Sequence, residues 1–139
     1  MSSGLIFFLV AVLIVGALLF FAISATKHKV VVLDKDQYQA DWLAIENELL
    51  KEDEKTYNIA VLEADKLVDK ILIEIGAAGK TMGERLKSEG ARFSNLNGVW
   101  YVHKLRNQIA HERGFSVSFE QARRSLSVYK QALQDLGAI

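Results

Sequence analysis

The stretch LIFFLVAVLIVGALLFFAIS, residues 5–24, decides the fold because none of its side chains is charged. As an α-helix rising ~1.5 Å per residue, it matches the ~30 Å hydrocarbon core of a bilayer. A core helix of a water-soluble protein rarely stays apolar on every face over this length. We therefore expect residues 1–26 to form a single-pass transmembrane anchor.

A cleaved signal peptide is the main alternative for this segment. The small residues within 22–24 or 24–26 could form a cleavage site. Against cleavage, no basic residue precedes the apolar run, and the run exceeds the usual ~7–15-residue signal core. Lys27 and Lys29 follow the run directly. By the positive-inside rule they predict an N-terminus outside the cell membrane and a cytoplasmic domain after it.

The remaining chain has the composition of a water-soluble domain. All 17 basic and 17 acidic residues lie after Thr26, so the formal net charge is zero. That balance gives no support for a general nucleic-acid binder, although local basic patches remain possible. The absence of cysteine excludes disulfides, thiol catalysis and cysteine metal sites. The absence of proline leaves long helices unbroken.

Apolar residues after Asp34 recur with a helical period near 3.6 rather than the strand period of 2. A first soluble helix has Tyr38, Trp42 and Ile45 on one face, and a second runs from about 56 to 75. One face of the second helix is charged, and we expect it to be solvated: Glu63, Asp65, Lys66, Asp69 and Lys70. We place a juxtamembrane segment and the first soluble helix in residues 27–53, and the bundle core in residues 54–139.

Two capping boxes mark further helix starts. Thr81 with Glu84, and Ser118 with Gln121, have the spacing in which the two side chains satisfy each other's backbone N–H groups. The predicted helices are 81–88, about 98–113, and 119–136. Substantial helices with short connections predict an all-α fold, an antiparallel bundle of four to five helices after the transmembrane helix.

The helix at 99–113 concentrates two of the three histidines with several cations. Asn107 and His111 are four residues apart and share a face, whereas Arg106 lies about 140° around the helix from His111. We assign His111 as general acid/base, Arg106 as phosphate stabiliser and Asn107 as orienting group. These residue types suit metal-independent phosphodiester cleavage at a ribose 2′-hydroxyl. Because one copy supplies one such histidine, a homodimer would complete the site.

A structural interpretation of the same residues stays open. Asn107 and His111 would satisfy each other's hydrogen bonds, while Arg106 would pair with a carboxylate such as Glu63 or Asp69 on the second soluble helix. No metal or other cofactor is expected, because His103 and His111 are two turns apart and no clean carboxylate partner sits beside either.

Residues 105–112, LRNQIAHE, resemble the Arg-Asn-x-x-x-His signature of the HEPN superfamily. The resemblance implies a HEPN-like bundle of four to five helices and, as in many members, a dimeric endoribonuclease in which Arg106, Asn107 and His111 act. His103, Lys104 and Arg113 would then bind substrate by adding positive charge for an RNA backbone. Arg113 departs from toxins that carry a nucleotide-modified tyrosine two residues after the histidine, so that regulation is not expected.

A second functional hypothesis is a non-catalytic, membrane-tethered module that dimerises or binds a protein or nucleotide. The near-neutral charge and the lack of a broad basic stripe favour it. Some HEPN-like domains serve such roles, and the motif by itself does not separate the two hypotheses.

Overall fold

The computed structural model describes residues 2–25 and 31–139. Lys27 and Lys29, on which the predicted membrane orientation rests, lie outside the described residues. The chain divides into two compact units, Met1–Val30 and Val31–Ile139. Helices make up the regular structure of both described ranges, and no strand occurs in them. The all-α prediction is therefore confirmed.

The first unit is built on a single helix, α1 (Ser3–Ala25), of 23 residues. At ~1.5 Å per residue α1 is about 34 Å long, enough to cross a hydrocarbon core. Its side chains are exposed as far as Ile23, because no other part of its unit covers them. Among the described residues α1 alone is long and apolar enough to span a membrane, a test that an N-terminal signal sequence also passes.

The second unit contains five α-helices and one short 3-10 turn. The helices are α2 (Lys35–Glu48), α3 (Lys55–Glu74), α4 (Met82–Ser88), α5 (Leu96–His111) and α6 (Phe119–Asp135), and the 3-10 turn is Gly90–Arg92. Both predicted capping boxes are present, since Thr81 exchanges hydrogen bonds with Glu84 and Ser118 with Gln121. The bounds of α5 differ by two residues at each end from the prediction, because Asn95 caps this helix at the Gly98 N–H.

The 20-residue helix α3 lies at the centre of this unit and packs against α2, α4, α5 and α6. Its apolar face is fully buried at Val61, Val68 and Leu72. The predicted face of α2 joins the same core, with Tyr38, Trp42 and Ile45 buried.

Specific contacts fix the directions of the helices around α3. Tyr38 at the start of α2 donates a hydrogen bond to Glu74 at the end of α3, so these two helices run in opposite directions. The ring of Tyr57 at the start of α3 lies 5.7 Å from that of Phe119 at the start of α6. Helices α3 and α6 therefore run in the same direction, which aligns the middle of α3 with the middle of α6.

Candidate functional site

A buried carboxylate, Asp65, lies in the middle of α3 and is only 3% exposed. The sequence pattern predicted Asp65 on the solvated face of α3, together with Glu63 and Lys66, and its burial shows that this prediction is wrong. Asp65 follows Val61 by four residues and precedes Val68 by three, so it belongs to the apolar stripe of α3. That position could have revealed its burial, and a buried carboxylate needs partners to offset its desolvation.

Three side chains from two other helices supply those partners. Tyr129 of α6 donates its hydroxyl to Oδ1 of Asp65 at 2.9 Å, and Nδ1 of His103 lies 2.9 Å from the same oxygen. Nε of Arg106 lies 3.2 Å from Oδ2 as an ion pair. Burial, the negative charge of Asp65 and the hydrogen bond to it raise the pKa of Tyr129 well above its usual value, so this phenol stays a donor.

The polar contacts continue from Arg106 through Asn107 and return to His103. A guanidinium only donates, so its Nη1, 3.1 Å from Asn107 Oδ1, fixes the carbonyl side of the Asn107 amide. The amide nitrogen of Asn107 then faces Nε2 of His103 at 3.4 Å. Because a carboxylate oxygen accepts hydrogen bonds, Nδ1 of His103 donates its hydrogen to Asp65.

As the structural interpretation predicted, Arg106 pairs with a carboxylate and Asn107 with a histidine, but both partners differ from those expected. Arg106 does pair with a carboxylate, but that carboxylate is Asp65. Asp69 is instead held by Arg85 of α4, whose Nε and Nη2 lie 2.8 and 2.9 Å from the two carboxylate oxygens. Asn107 pairs with His103, one turn earlier on α5, and not with His111.

An open cleft of about 910 Å³ lies above this network. It is bounded by α3, α5 and the start of α4. The lining residues are Leu62, Glu63, Asp65, Lys66, Asp69, Thr81, Met82, Gly83, Trp100, His103, Lys104, Arg106, Asn107 and Ala110. We refer to it as the α3–α5 cleft.

Four of the six predicted site residues meet at this cleft: His103, Lys104, Arg106 and Asn107. The other two, His111 and Arg113, are exposed at and just beyond the end of α5 and do not line it. The predicted general acid/base is therefore separated from the predicted phosphate stabiliser within one copy, because α5 turns them to different faces.

The electrostatics of the α3–α5 cleft are balanced. Its lining includes three acidic and three basic side chains. Asp65 and Asp69 are bound to cations, and Glu63 lies 3.8 Å from Lys66 in an exposed pair. Lys104 is exposed and forms no ion pair with any residue in the described part of the chain. Lys104 is thus the one lysine of this lining without an ion pair among the described residues, which suits a single anionic group better than a long polyanion.

Sequence reasoning missed Asp65, Tyr129 and Trp100 as site residues. Trp100 is half-buried, and its indole lines the cleft edge-on to the His103 ring, with centroids 6.2 Å apart. Its position three residues before His103 on α5 is the signal that could have placed it there. Tyr129 carried no such signal, since it is 64 residues from Asp65 in the chain.

Neither a metal site nor a known relative assigns a function to the α3–α5 cleft. No group of three or more histidine or acidic side chains within residues 2–25 and 31–139 could hold a metal ion. No family model, curated protein or solved structure matches the chain. Assignment of the α3–α5 cleft therefore rests on its own geometry, and membership of the HEPN superfamily stays a prediction.

Proposed function

We propose that this chain is a membrane-anchored module that binds a nucleotide unit through its phosphate in the α3–α5 cleft. The observation that carries the proposal is the position of the buried Asp65 network beneath an open cleft. Asp65 holds Arg106, and Arg106 holds Asn107, so both side chains are fixed before a ligand arrives. A pre-organised polar network at the floor of a cleft lowers the entropy that binding must overcome.

The phosphate would lie between Arg106 and Lys104. The Arg106 side chain is 33% exposed, so part of its guanidinium faces the cleft although Asp65 pairs with it. Lys104 directly follows His103 in the sequence and also lines the cleft. Its ammonium forms no ion pair with the described residues. Guanidinium and ammonium groups are the side chains that bind phosphate oxygens most strongly in proteins.

The rest of the nucleotide fits the remaining wall of the cleft. Trp100 and Met82 give an apolar side on which a base can stack, and stacking contributes about 1–3 kcal/mol per base. A volume of about 910 Å³ falls in the range of small-molecule and cofactor sites. The balanced charge argues for one nucleotide, either free or as one residue of an RNA.

The predicted membrane anchor would determine where in the cell the domain binds its ligand. Helix α1 would hold the domain at the membrane as a single-pass protein, and Lys27 and Lys29 would keep the domain on the cytoplasmic side, where nucleotides are abundant. Confinement to two dimensions would also raise the effective concentration of a second copy and favour a homodimer.

Equilibrium binding to the full chain in lipid nanodiscs tests the proposal. The probes are AMP, inorganic phosphate and a mixed-sequence octaribonucleotide. We expect AMP to bind, and Lys104→Gln to weaken it about tenfold, the loss of one charge-assisted contact. Lys55→Gln, an exposed lysine at the start of α3, is the matched control and should leave the affinity unchanged. If none of the probes binds, or if both variants bind alike, the proposal is wrong.

The second candidate is a metal-independent endoribonuclease of the HEPN type acting as a homodimer. The observation that favours it is the meeting of His103, Arg106 and Asn107 in one cleft, with His111 exposed at the end of α5, where a second copy could use it. Cleavage of RNA by the full chain in nanodiscs, in the presence of a chelator, tests this candidate. Intact RNA after prolonged incubation at high protein concentration would rule it out.

A further inference from the structure

We infer that the loop joining α2 to α3 in one copy of this chain docks between α5 and α6 of a second copy. Residues 49–54 form this segment, the α2–α3 loop. The loop is apolar and acidic, whereas the surface between α5 and α6 is apolar and basic. Nucleotide binding in the α3–α5 cleft is not required for the contact.

The receiving surface is a groove of about 270 Å³ between α5 and α6, which continues into a depression of about 420 Å³ on α5. Tyr101 and Leu105 line both parts, and we call the whole surface the α5–α6 groove. Val102 and Val128 complete its apolar side. Tyr101 is 63% exposed although it lies beside buried Leu105, so the groove presents apolar area that one copy leaves uncovered.

Two cations flank the apolar part of the α5–α6 groove. Lys104 on α5 and Arg124 on α6 are exposed, and neither forms an ion pair with a described residue. Among the described residues, no acidic side chain lines this groove. Uncompensated cations beside apolar area favour a partner that brings both carboxylates and an apolar side chain.

The α2–α3 loop carries that combination on its surface. Leu50 is 54% exposed, and the acidic residues Glu52, Asp53 and Glu54 follow it within four positions and are also exposed. Neither Glu52 nor Glu54 forms an ion pair within the described part of the chain. Leu50 would pack on the apolar side of the groove while these carboxylates face its cations.

Hydrogen bonds hold the α2–α3 loop in one shape. The Thr56 hydroxyl accepts a hydrogen bond from the Leu50 N–H at 3.1 Å and donates one to the Asp53 carbonyl at 2.7 Å. The Tyr57 hydroxyl donates to the Lys51 carbonyl. A segment that is ordered before binding loses little conformational entropy on docking, so Leu50 is preorganised as an anchor.

The loop and the groove lie toward the same end of the bundle, which allows a reciprocal contact. The contact between Tyr57 and Phe119 places the start of α3 beside the start of α6, and Arg124 lies in the first two turns of α6. Within one described copy, no hydrogen bond or ion pair joins the loop to the groove. Under two-fold symmetry each copy's loop enters the other's groove, so every contact occurs twice.

Förster transfer between copies labelled at the N-terminus tests the contact, with the full chain in phosphatidylcholine vesicles at low protein density. Wild-type chains should show transfer that excess unlabelled chain abolishes. Arg124→Glu should weaken association at least about tenfold. Arg123→Glu makes the same charge change one residue away, outside the groove, and should stay within about twofold of wild type.

An apolar pair of variants tests the anchor. Leu50→Ser should weaken association about tenfold, since it removes the side chain that packs in the groove. Leu43→Ser is the matched control, because Leu43 of α2 is 55% exposed but lies outside the loop. It should leave the association unchanged.

Mixing two defective variants tests which surfaces meet. A loop variant, Glu52→Lys with Glu54→Lys, should fail to associate with itself, as should the groove variant Arg124→Glu. A mixed pair keeps one wild-type loop in one wild-type groove, so transfer should return. That recovery would also show that both variants are folded.

Wild-type copies without displaceable transfer would overturn the inference and leave the groove to an acidic segment of a different protein. Normal association of Arg124→Glu, equal losses in Leu50→Ser and Leu43→Ser, or a mixture that stays apart would also overturn it. Arg124 and the α2–α3 loop do not line the α3–α5 cleft. AMP binding by the same variants therefore reports on the nucleotide site separately.

Discussion

Among single residues, Asp65 contributes most to both the stability of the bundle and the shape of the cleft. Its carboxylate accepts hydrogen bonds from Tyr129 and His103 and forms an ion pair with Arg106, whose buried Nε makes no hydrogen bond. Removing one member of a buried charged network leaves the remaining members desolvated without partners. The stability of the bundle and the shape of the cleft floor therefore depend on the same side chain.

Asp65→Ala should lower the free energy of unfolding by about 3–5 kcal/mol. Urea titration of the full chain in mild detergent measures it through tryptophan fluorescence, since both tryptophans lie in the second unit. Glu63→Ala removes an exposed carboxylate from the same helix and should change stability by no more than about 0.5 kcal/mol. Equal effects of the two substitutions would contradict the central position given to Asp65.

The residue-scale features open to prediction were those encoded locally. The segment 99–113 drew attention to Arg106, Asn107 and His103 because they follow one another within five positions of a helix. The role of Asp65 could not be obtained in this way. Its partners are 38 to 64 residues away, and only the packing of α3 against α5 and α6 brings them together.

At the scale of elements, the start of α4 depends on one glycine. Gly79 has φ = +136°, a conformation that side chains with a Cβ rarely adopt. A Cβ there would also lie 2.5 Å from Cβ of Glu84 and 2.9 Å from the backbone N of Arg85. The Gly79 carbonyl in turn accepts a hydrogen bond from Arg85, which clamps α4 to α3 and forms one wall of the cleft.

Gly79→Ala should therefore destabilise the bundle by about 3 kcal/mol, through backbone strain and overpacking together. Gly76→Ala is the matched control: its φ is +79°, but a Cβ would meet no atom within 4 Å. That variant bears backbone strain alone and should cost about 1 kcal/mol. Thermal unfolding followed by circular dichroism separates the two, and equal losses would show that the contact with α4 is unimportant.

Asp135, the last residue of α6, accepts hydrogen bonds from the segment that precedes α5. Its Oδ2 accepts hydrogen bonds from the Ser94 N–H at 2.7 Å and the Ser94 hydroxyl at 2.8 Å. Burial alone would raise the pKa of the Asp135 carboxyl, but these bonds and one from Gln131 outweigh it, and the pKa lies below its usual value.

A lowered pKa in the folded state means that ionised Asp135 stabilises the fold above the pKa of the unfolded chain. The contribution is lost as the pH falls through the lower, folded pKa. Asp135→Asn should be less stable than wild type by about 1 kcal/mol at pH 7. The difference should shrink below about pH 4, the ordinary range of this carboxyl. Unfolding measured from pH 2.5 to 7 checks this, and a constant difference would exclude the ionised form as its source.

The elements themselves were the most predictable part of the fold. Helix positions followed from the 3.6-residue period, and the two capping boxes were read correctly because each spans four consecutive residues. The central position of α3 was not predictable, since several helices have an apolar face and periodicity does not say which faces meet.

The whole molecule joins an exposed apolar helix to a charged helical bundle. If α1 is an anchor, the mature protein in native membranes keeps its N-terminus. Mass spectrometry of the membrane-extracted chain should then find a first residue of Met1 or Ser2, and the protein should resist extraction by alkaline carbonate. A mature chain that begins near residue 25 would identify α1 as a signal peptide and would place the bundle outside the cytoplasm.

The central claim is that the α3–α5 cleft, organised by buried Asp65, is the ligand site. The two tryptophans allow a direct test, since Trp100 lines the cleft whereas Trp42 is buried in α2 with 3% exposure. The measurement is an NMR titration of AMP into the full chain in nanodiscs, with ¹⁵N-labelled tryptophan. We predict that the indole signal of Trp100 shifts in a saturable way while that of Trp42 stays in place. Two unmoved signals, or equal shifts of both, would contradict the claim.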